Sequence, residues 1–405
     1  MGDLENLNMK TFIKILAWPL TFLISVLAKF MIRDENIWLF GCYQNRFSDN
    51  SMYFFKHCST RNGLVRSVWI SGSLKTLSQV RSLGLEAHHR YSFKGIYLGL
   101  KAGKYFYSAY VSDINHFTCQ GSTKINLWHG LNIKAVEFDI DRGPLRRLFN
   151  EPTILERYVT HSFVFEPPSY VLSSTPFVSK NSFLSAFRVR QDQMLEFGYP
   201  RNDILDPNGG ENPSELDAAP LELTTDNSDF VLYLPTWRDD PNFEWPFSLD
   251  DIISLSRKLS GLNLRLVVKP HPNTPVSKFH VFGQADNISV LDSGVDIYPL
   301  LRSSRCLVSD VSSILFDYLL TQKPIFVLTS EGESYDVDNR GIYYSRDLLS
   351  AFSYVNSLSE VLDQLNGPSE KVLLDRQSRL KALIHGEYDF SASKTLFNYC
   401  YELGR

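Results

Sequence analysis

Arg305–Leu328, which reads RCLVSDVSSILFDYLLTQKPIFVL, decides the fold class of this chain. The apolar run Cys306–Val308 predicts a buried strand, and apolar residues then recur at helical spacing up to a Lys-Pro pair. Ile325–Leu328 is a second apolar run of strand length. The stretch therefore predicts a β-α-β unit, which places its two strands in a parallel sheet.

The turn between this strand and its helix carries Asp310, Ser312 and Ser313. Such turns lie at the carboxyl ends of parallel strands, where open α/β sheets bind their ligands. The free N–H groups at the start of the helix attract phosphate, and two hydroxyls add donors. Serine at this position also caps helices without binding any ligand, so the turn by itself leaves both roles open.

Length and composition indicate two globular domains. The chain has 405 residues, with 43% hydrophobic and 21% charged residues. Its net charge of −4, without a long Lys/Arg run, argues against a nucleic-acid partner. Five scattered cysteines without paired spacing argue against a disulfide framework or a zinc site and fit a reducing cytosol.

Short apolar runs alternate with helical patterns, which predicts α/β domains with helices on both faces of parallel sheets. We predict strands at 37–41, 65–70, 105–111, 125–128, 159–165, 230–234, 264–269, 288–291, 306–308 and 325–328. We predict helical segments at 49–58, 74–83, 93–101, 169–177, 191–197, 249–259, 297–302, 314–319, 371–383 and 392–403.

The stretch 206–229 is rich in Pro, Gly, Asn, Asp, Glu and Ser, and we interpret it as a linker. It separates a Rossmann-like domain at 36–205 from a second one at 230–405, whose end holds the closing helices. Two such domains would face each other across a cleft.

We interpret the first 35 residues as a separate, membrane-associating segment. Ile15–Ala28 is an uncharged apolar run flanked by Lys and Arg. A bilayer core needs about 20 helical residues, so this run predicts a helix lying in the membrane interface with its cations near anionic lipid. The alternative is an apolar helix packed on the domain. A signal peptide is disfavoured because no small-x-small cleavage site follows.

His129 lies just past a predicted strand, in NLWHGLNIKAVEFD at 126–139. A histidine in that place, beside Gly130, which lets a ligand approach the backbone, is suited to act as a general base. Lys134 would offset phosphate charge. The alternative is a structural histidine bonded within a turn.

Two further strand ends carry cationic side chains. Thr236 and Arg238 lie in YLPTWRDD at 233–240, and Lys269 and His271 lie in VVKPHP at 267–272. The guanidinium fork suits phosphate, although Arg238 has acidic neighbours with which it could pair instead. His271 could hydrogen-bond a diphosphate. With the turn at Asp310, these strand ends would converge on one cleft.

Several common catalytic motifs are absent from the sequence. It has no GxxxxGK[ST], HExxH or GxSxG pattern, and Asp139-Ile140-Asp141 matches DxD only as a chance-level pattern. The sequence therefore predicts neither a metal ion nor a cofactor.

The motifs together resemble the CDP-glycerol glycerophosphotransferase family. NLWHGLNIKAVEFD, FGYPRNDIL, YLPTWRDD, VVKPHP and VSDVSSILFDYLL occur in that order, and WLFGCYQNRFSDNSMYFF resembles the family's first strand and turn. The resemblance implies a GT-B fold and transfer of glycerol phosphate from CDP-glycerol to a hydroxyl of a lipid- or glycan-linked acceptor, with release of CMP. It also implies peripheral attachment to the inner face of the cytoplasmic membrane, in teichoic-acid-like or capsule polymer synthesis.

The resemblance also implies residue roles. His129 would be the base and His271 would stabilise the diphosphate. The remaining implied site residues fall on the donor side (Arg238, Lys269, Asp310, Ser312, Ser313, Thr236 and Asp317) and on the acceptor or phosphate side (Gly130, Lys134 and Asn50). Leu131-Asn132 after the His-Gly pair and Val311 before the serine pair depart from many members.

Two other classes of function are kept as alternatives. One is a GT-B glycosyltransferase that uses a sugar nucleotide in capsule or lipopolysaccharide synthesis. The other is a membrane-associated scaffold that binds a nucleotide without chemistry. CDP-ribitol is an alternative donor, and an oligomer is possible.

Overall fold

The computed structural model of the protein describes residues 2–61, 63–208, 229–236, 247–271, 273–292, 294–310, 312–329, 343–344, 346–365 and 367–404. Within these ranges the chain forms two parallel sheets, each covered by helices. The prediction of an α/β fold with two Rossmann-like domains is therefore confirmed.

The first sheet has seven strands in the order β3-β2-β1-β4-β5-β6-β7. They are β1 (Asp34–Gly41), β2 (Arg66–Ser71), β3 (Ala87–His89), β4 (Ala102–Tyr107), β5 (Thr123–Asn126), β6 (Tyr170–Ser173) and β7 (Met194–Glu196). Helices on both faces bury the central strands, which is why β4 is buried at every position instead of alternating.

The second sheet has six strands in the order β10-β9-β8-β11-β12-β13. They are β8 (Asp229–Leu234), β9 (Leu264–Val268), β10 (Ile288–Val290), β11 (Cys306–Ser309), β12 (Ile325–Leu328) and β13 (Ser353–Val355). β11 and β12 pair in parallel, with Leu307 opposite Ile325. The β-α-β unit predicted from Arg305–Leu328 is thus confirmed.

Helices connect the strands of both sheets. They are α1 (Gly2–Ala28), α2 (Asp49–Ser59), α3 (Leu74–Ser82), α4 (Phe93–Lys101), α5 (Pro144–Asn150), α6 (Pro176–Val178), α7 (Leu184–Phe187), α8 (Leu249–Gly261), α9 (Tyr298–Ser303), α10 (Ile314–Tyr318), α11 (Arg346–Leu349), α12 (Leu358–Gln364), α13 (Pro368–His385) and α14 (Ala392–Glu402).

Three predicted elements near the end of the first domain are wrong. The predicted strand at 159–165 is instead a π-helical turn, Glu156–Thr160, followed by a 3₁₀ turn, Ser162–Phe165. The predicted helices at 169–177 and 191–197 contain the short strands β6 and β7. Apolar runs of three or four residues fit either periodicity, so tertiary packing decided between them.

The last helix, α14, packs on the first domain although the predicted division placed it in the second. The Phe397 ring lies 5.3 Å from that of Trp38 in β1, and the Tyr399 ring lies 5.8 Å from that of Tyr170 in β6. Asp203 of the first domain accepts hydrogen bonds from the backbone N–H groups of Ala392 and Ser393 at 3.0 and 2.8 Å. The chain therefore crosses between the domains a second time before it ends.

Helix α1 has 27 residues and extends well beyond the predicted apolar run. Among the described helices it is the one long and apolar enough to cross a membrane, and only 6% of its segment Thr11–Ala28 is buried. Lys14 Nζ donates to the Thr160 carbonyl at 2.7 Å, and Trp18 Nε1 donates to that of Tyr158 at 3.0 Å. The helix is thus attached along one side and leaves a broad apolar surface exposed.

Candidate active site

The carboxyl ends of strands from both sheets line one cavity of about 990 Å³ between the domains. This volume is at the upper end of the range for small-ligand sites, about 300–1,000 Å³. Its lining includes predicted site residues of the second domain together with unpredicted residues of both domains (Asn45, Arg46, Asp49, Arg201, Thr236, Lys269, His271, Tyr298, Ser312 and Ser313). The described strand ends of the second domain therefore converge as the sequence predicts.

His129 follows β5 and is not itself a lining residue of this cavity, but its backbone carbonyl accepts a hydrogen bond from Arg201, which is. Its Nδ1 lies 3.0 Å from the backbone carbonyl oxygen of Ser108. A carbonyl can only accept, so Nδ1 must carry the proton of the neutral ring. The lone pair is then on Nε2, which is the arrangement that a general base requires.

The charge state of His129 suits the same role. The protein around the ring lowers its pKa below the ordinary 6.5 by desolvation, while the Asp49 carboxylate opposes this shift. The imidazole is therefore neutral at pH 7 and can accept a proton.

His271, past the end of β9, has the opposite hydrogen-bond pattern. The backbone N–H of Asn273 donates to its Nδ1 at 3.1 Å. An N–H can only donate, so Nδ1 is the acceptor and the neutral ring carries its proton on Nε2. Desolvation, together with the nearby Lys269 and Arg46, lowers the pKa of His271 to about 4. His271 is thus a neutral hydrogen-bond donor.

Cations from both domains surround His271. Lys269 belongs to the same loop, and desolvation lowers the pKa of its ammonium group. Arg46 extends from the turn after β1 in the first domain, and its Nη2 lies 3.5 Å from Oδ1 of Asn273. Two cations and one N–H donor at one end of a cleft form a site suited to a phosphate or diphosphate.

Asp310 joins two strand ends of the second domain. One carboxylate oxygen accepts the backbone N–H of Thr236 at 2.7 Å, and the other accepts its hydroxyl at 2.6 Å. Ser312 and Ser313 line the same cavity, and no side-chain hydrogen bond caps helix α10 at Ser313. The predicted donor-side residues are thus together, except Asp317, which is buried away from the cavity, and Arg238, which lies outside the described residues.

Arg201 joins the two domains and was assigned no role from the sequence. It lies in FGYPRNDIL and is 4% exposed. Its Nη1 donates to Asp49 at 2.6 Å and to the His129 carbonyl at 2.8 Å, while Nη2 donates to Asp317 at 2.6 Å. Tyr298 also donates to Asp317, at 2.8 Å. This network, which we call the Arg201 network, fixes the His129 loop relative to helix α10.

The Arg201 network requires that residue 130 have no side chain, and this position is a glycine. Its φ of +120° lies in a region that L side chains rarely adopt, and a Cβ there would overlap Nη2 of Arg201. The glycine predicted for the acceptor side therefore makes room for a guanidinium of the protein itself.

Six of the predicted site residues that the structure describes do not line the cavity, namely His129, Gly130, Asp310, Asn50, Asp317 and Lys134. Asn50 is fully buried, donates to the carbonyls of Leu127 and Trp128 at 3.2 and 2.9 Å, and so supports the His129 loop from below. Asp317 is fully buried within the Arg201 network. Lys134 is exposed and is not among the lining residues.

The sequence reasoning missed Arg46, Asp49, Arg201 and Tyr298. The first three lie within stretches quoted for their family resemblance, so a signal was present. Nothing local distinguishes a buried arginine that bridges two domains from a surface arginine, because its partners lie up to 152 residues away in the chain.

Comparison with known proteins adds a family match. A family model described as CDP-Glycerol:Poly(glycerophosphate) glycerophosphotransferase matches residues 21–377. The chain is 30% identical over 249 residues to the teichoic acid poly(glycerol phosphate) polymerase of Staphylococcus epidermidis, which covers 56% of this chain and 32% of that protein. It is 31% identical over 186 residues to the teichoic acid glycerol-phosphate primase of Bacillus spizizenii, covering 45% and 46%.

A third relative is the teichoic acid ribitol-phosphate primase of Bacillus spizizenii, 26% identical over 187 residues and covering 43% of this chain and 44% of that protein. The chain therefore spans less than half the length of each of these three relatives. Among solved structures, that of the wall teichoic acid polymerase TagF has a TM-score of 0.72 at 19% identity, covering 98% of this chain and 97% of that one. This likeness shows a shared fold.

Proposed function

The chain belongs to the CDP-glycerol:poly(glycerophosphate) glycerophosphotransferase family, and from this premise we propose that it transfers glycerol phosphate from CDP-glycerol to a hydroxyl of a membrane-linked acceptor. CMP is the leaving group. The reaction serves the synthesis of a teichoic-acid-like or capsule polymer.

The observation that carries this proposal is the pair of histidines with opposite tautomers. His129 presents a lone pair on Nε2, as a base must, and His271 presents an N–H on Nε2, as a donor to phosphate must. The two residues follow strands of different domains, and the cavity between those domains is large enough for a nucleotide.

In the proposed step the acceptor hydroxyl attacks the phosphorus that bears the glycerol. The new O–P bond forms as the bond from that phosphorus to the bridging oxygen of the diphosphate breaks. His129 Nε2 takes the hydroxyl proton, and the bond's electron pair leaves with CMP. Positioning and charge stabilisation supply most of the rate in phosphoryl transfer.

The second domain holds the donor in this proposal. His271 Nε2–H, Lys269 and Arg46 stabilise the charge on the diphosphate, and Ser312 and Ser313 offer hydroxyl donors. Asp310 fixes the position of Thr236 beside them. We keep Arg238 as a proposed phosphate ligand on the sequence alone.

The acceptor side is formed by the His129 loop of the first domain. Asn50 and Gly130 act there by shaping the loop, since both contact protein groups. The exposed apolar side of α1 supports attachment of this domain to the inner face of the cytoplasmic membrane, where a lipid-linked acceptor would be found.

Release of CMP by the purified full-length protein tests the proposal. The donors are CDP-glycerol, CDP-ribitol and a panel of UDP- and CMP-sugars, with host membranes as the source of acceptor. We expect release from CDP-glycerol that depends on membranes. Release from a sugar nucleotide alone would place the protein among glycosyltransferases, and binding of CDP-glycerol without release from any donor would support a scaffold.

A further inference from the structure

A second cavity, of about 220 Å³, lies in the first domain and shares no lining residue with the cleft. We call it the aromatic cavity, because six aromatic side chains line it (Tyr107, Tyr110, Phe138, Phe163, Phe165 and Phe187). The reaction proposed above uses none of them. The volume is below the range of about 300–1,000 Å³ for drug-sized ligands, so the cavity suits a single ring.

A buried carboxyl group lies in the wall of the aromatic cavity. Glu137 is 8% exposed, and its Oε1 accepts the Tyr110 hydroxyl at 2.8 Å. Among the described residues no second hydrogen bond to this carboxyl is found, so Oε2 is available to a ligand. Its backbone φ of +51° is unusual for a side-chain-bearing residue, and such conformations cluster at binding sites.

Two arginines border the same cavity. The guanidinium carbon of Arg188 lies 3.9 Å from the centre of the Phe138 ring, and that of Arg157 lies 5.2 Å from the centre of the Phe165 ring. Both residues are exposed, and neither forms an ion pair with a described carboxylate. The aromatic cavity thus combines apolar walls, one carboxyl acceptor and cationic donors near its mouth.

The aromatic cavity is built from the strand ends that hold the proposed base. Ala109 and Tyr110 in its wall directly follow Ser108, whose carbonyl fixes the ring of His129. Asn126, also in the wall, lies three residues before His129, a chain distance of roughly 10 Å at most. A ligand in the cavity would therefore contact the strand end that carries the proposed base.

The segment that forms the opposite wall of the aromatic cavity also holds helix α1 against the first domain. The segment that provides Arg157 and Phe163 also holds the carbonyls to which Lys14 and Trp18 donate. Lys14 Nζ lies 5.8 Å from the centre of the Phe163 ring. The cavity is thus between an exposed apolar helix and the proposed catalytic base.

We propose that the aromatic cavity binds a pyranose ring of the acceptor, an inference that rests on the proposed function and adds a subsite to it. The apolar C–H face of the ring stacks on the aromatic walls, and one ring hydroxyl donates to Glu137. A glycerol phosphate unit has no such apolar face, so the six aromatic side chains favour a sugar.

Saturation-transfer NMR on the full-length protein tests this inference. The ligands are the methyl pyranosides of glucose, mannose and N-acetylglucosamine, with glycerol 3-phosphate as the contrast. We expect signal from ring protons of at least one pyranoside. Glu137→Gln replaces the carboxyl group, whose pKa burial raises to about 7, with a neutral amide and is expected to weaken that binding about three- to tenfold, the usual worth of one hydrogen bond. Ala109→Leu fills the cavity and should abolish the signal.

The matched control is Arg190→Ala, because Arg190 is exposed in the same domain, pairs with Asp192 and does not line the cavity. Thermal unfolding of each variant shows whether it is folded, and Glu137→Gln remains as the test if Ala109→Leu is not. No pyranoside signal in the wild type, or equal signals in the wild type and Glu137→Gln, would overturn the inference.

A kinetic comparison separates this inference from the proposed function. In CMP release, both cavity variants should raise the KM for the membrane acceptor and leave the KM for CDP-glycerol unchanged. An unchanged acceptor KM would overturn the aromatic-cavity subsite while the reaction stands. Pyranoside binding that depends on Glu137, in a protein that never releases CMP from CDP-glycerol, would overturn the reaction and leave the sugar site in place.

Discussion

His129 and His271 each follow a parallel strand of their own domain, and each ring is fixed by a hydrogen bond at Nδ1. In His129 that nitrogen donates to the Ser108 carbonyl, whereas in His271 it accepts from the Asn273 N–H. One neutral ring consequently presents a lone pair at Nε2 and the other presents an N–H. The backbone group that bonds Nδ1, and not the residue type, therefore decides whether Nε2 can act as a base or as a hydrogen-bond donor.

The electrostatic surroundings of the two rings also differ, and the difference agrees with these two roles. His129 lies near the Asp49 carboxylate, which raises its pKa against the lowering by desolvation. His271 lies near Lys269 and Arg46, which lower its pKa further, to about 4. A phosphate that enters the cleft would neutralise those cations and raise the pKa of His271, since a nearby anion favours the charged imidazole.

The largest expected effect is the loss of the base. His129→Ala should lower CMP release from CDP-glycerol by about 10²–10⁴-fold, the usual contribution of a general base. His280→Ala is the matched control, because His280 has its Nδ1 at 3.1 Å from a carbonyl, as His129 does, but is exposed and bonded within its own 3₁₀ segment, Val276–Gln284. Full activity in folded His129→Ala would remove this residue from the mechanism.

Loss of the donor should have a smaller effect that can be reversed. His271→Ala should lower kcat by about 10²-fold, the lower end of what one preorganised donor contributes. His271→Asn supplies an amide N–H and should recover part of the loss, whereas His129→Asn should recover none because an amide is not a base. Equal behaviour of the two Asn variants in CMP release would show that the tautomers do not set the roles.

Gly130→Ala tests the support of the His129 loop. The added Cβ overlaps Arg201, and the positive φ adds backbone strain of order 1–3 kcal/mol. We expect a lower denaturant midpoint and weaker CMP release. Gly63→Ala is the control, because its φ is also positive, +103°, but nothing lies within 4 Å of the new Cβ. If both variants lose the same stability and activity, strain alone explains Gly130.

The smallest expected effect is a shift in pH dependence. His129 must be neutral to act, so kcat/KM should fall as the pH drops through its pKa, which lies below 6.5. The Asp49 carboxylate raises that pKa, so Asp49→Asn should move the acid limb of the profile to lower pH. His271→Asn should leave the limb in place. A limb that moves with His271 and not with Asp49 would reverse the assignment of the two rings.

The sequence pattern predicted the elements correctly where strands and helices are long. It predicted site residues correctly where polar side chains follow such strands. Thr236, Lys269, His271, Ser312 and Ser313 all line the cleft, because parallel strands bring their carboxyl ends to one edge. The prediction failed at β6 and β7, where three or four apolar residues do not define a period.

The sequence by itself determined the α/β class, the two-domain order and five of the residues at the cleft, since periodicity and strand-end chemistry are local properties. Only the tertiary structure decided that Asn50 and Asp317 support the site from inside and that Lys134 lies away from it. It also decided the tautomer of each histidine and the place of the Arg201 network. These depend on groups far apart in the chain, such as Asp49, Arg201 and Asp317, that meet only when the two domains pack together.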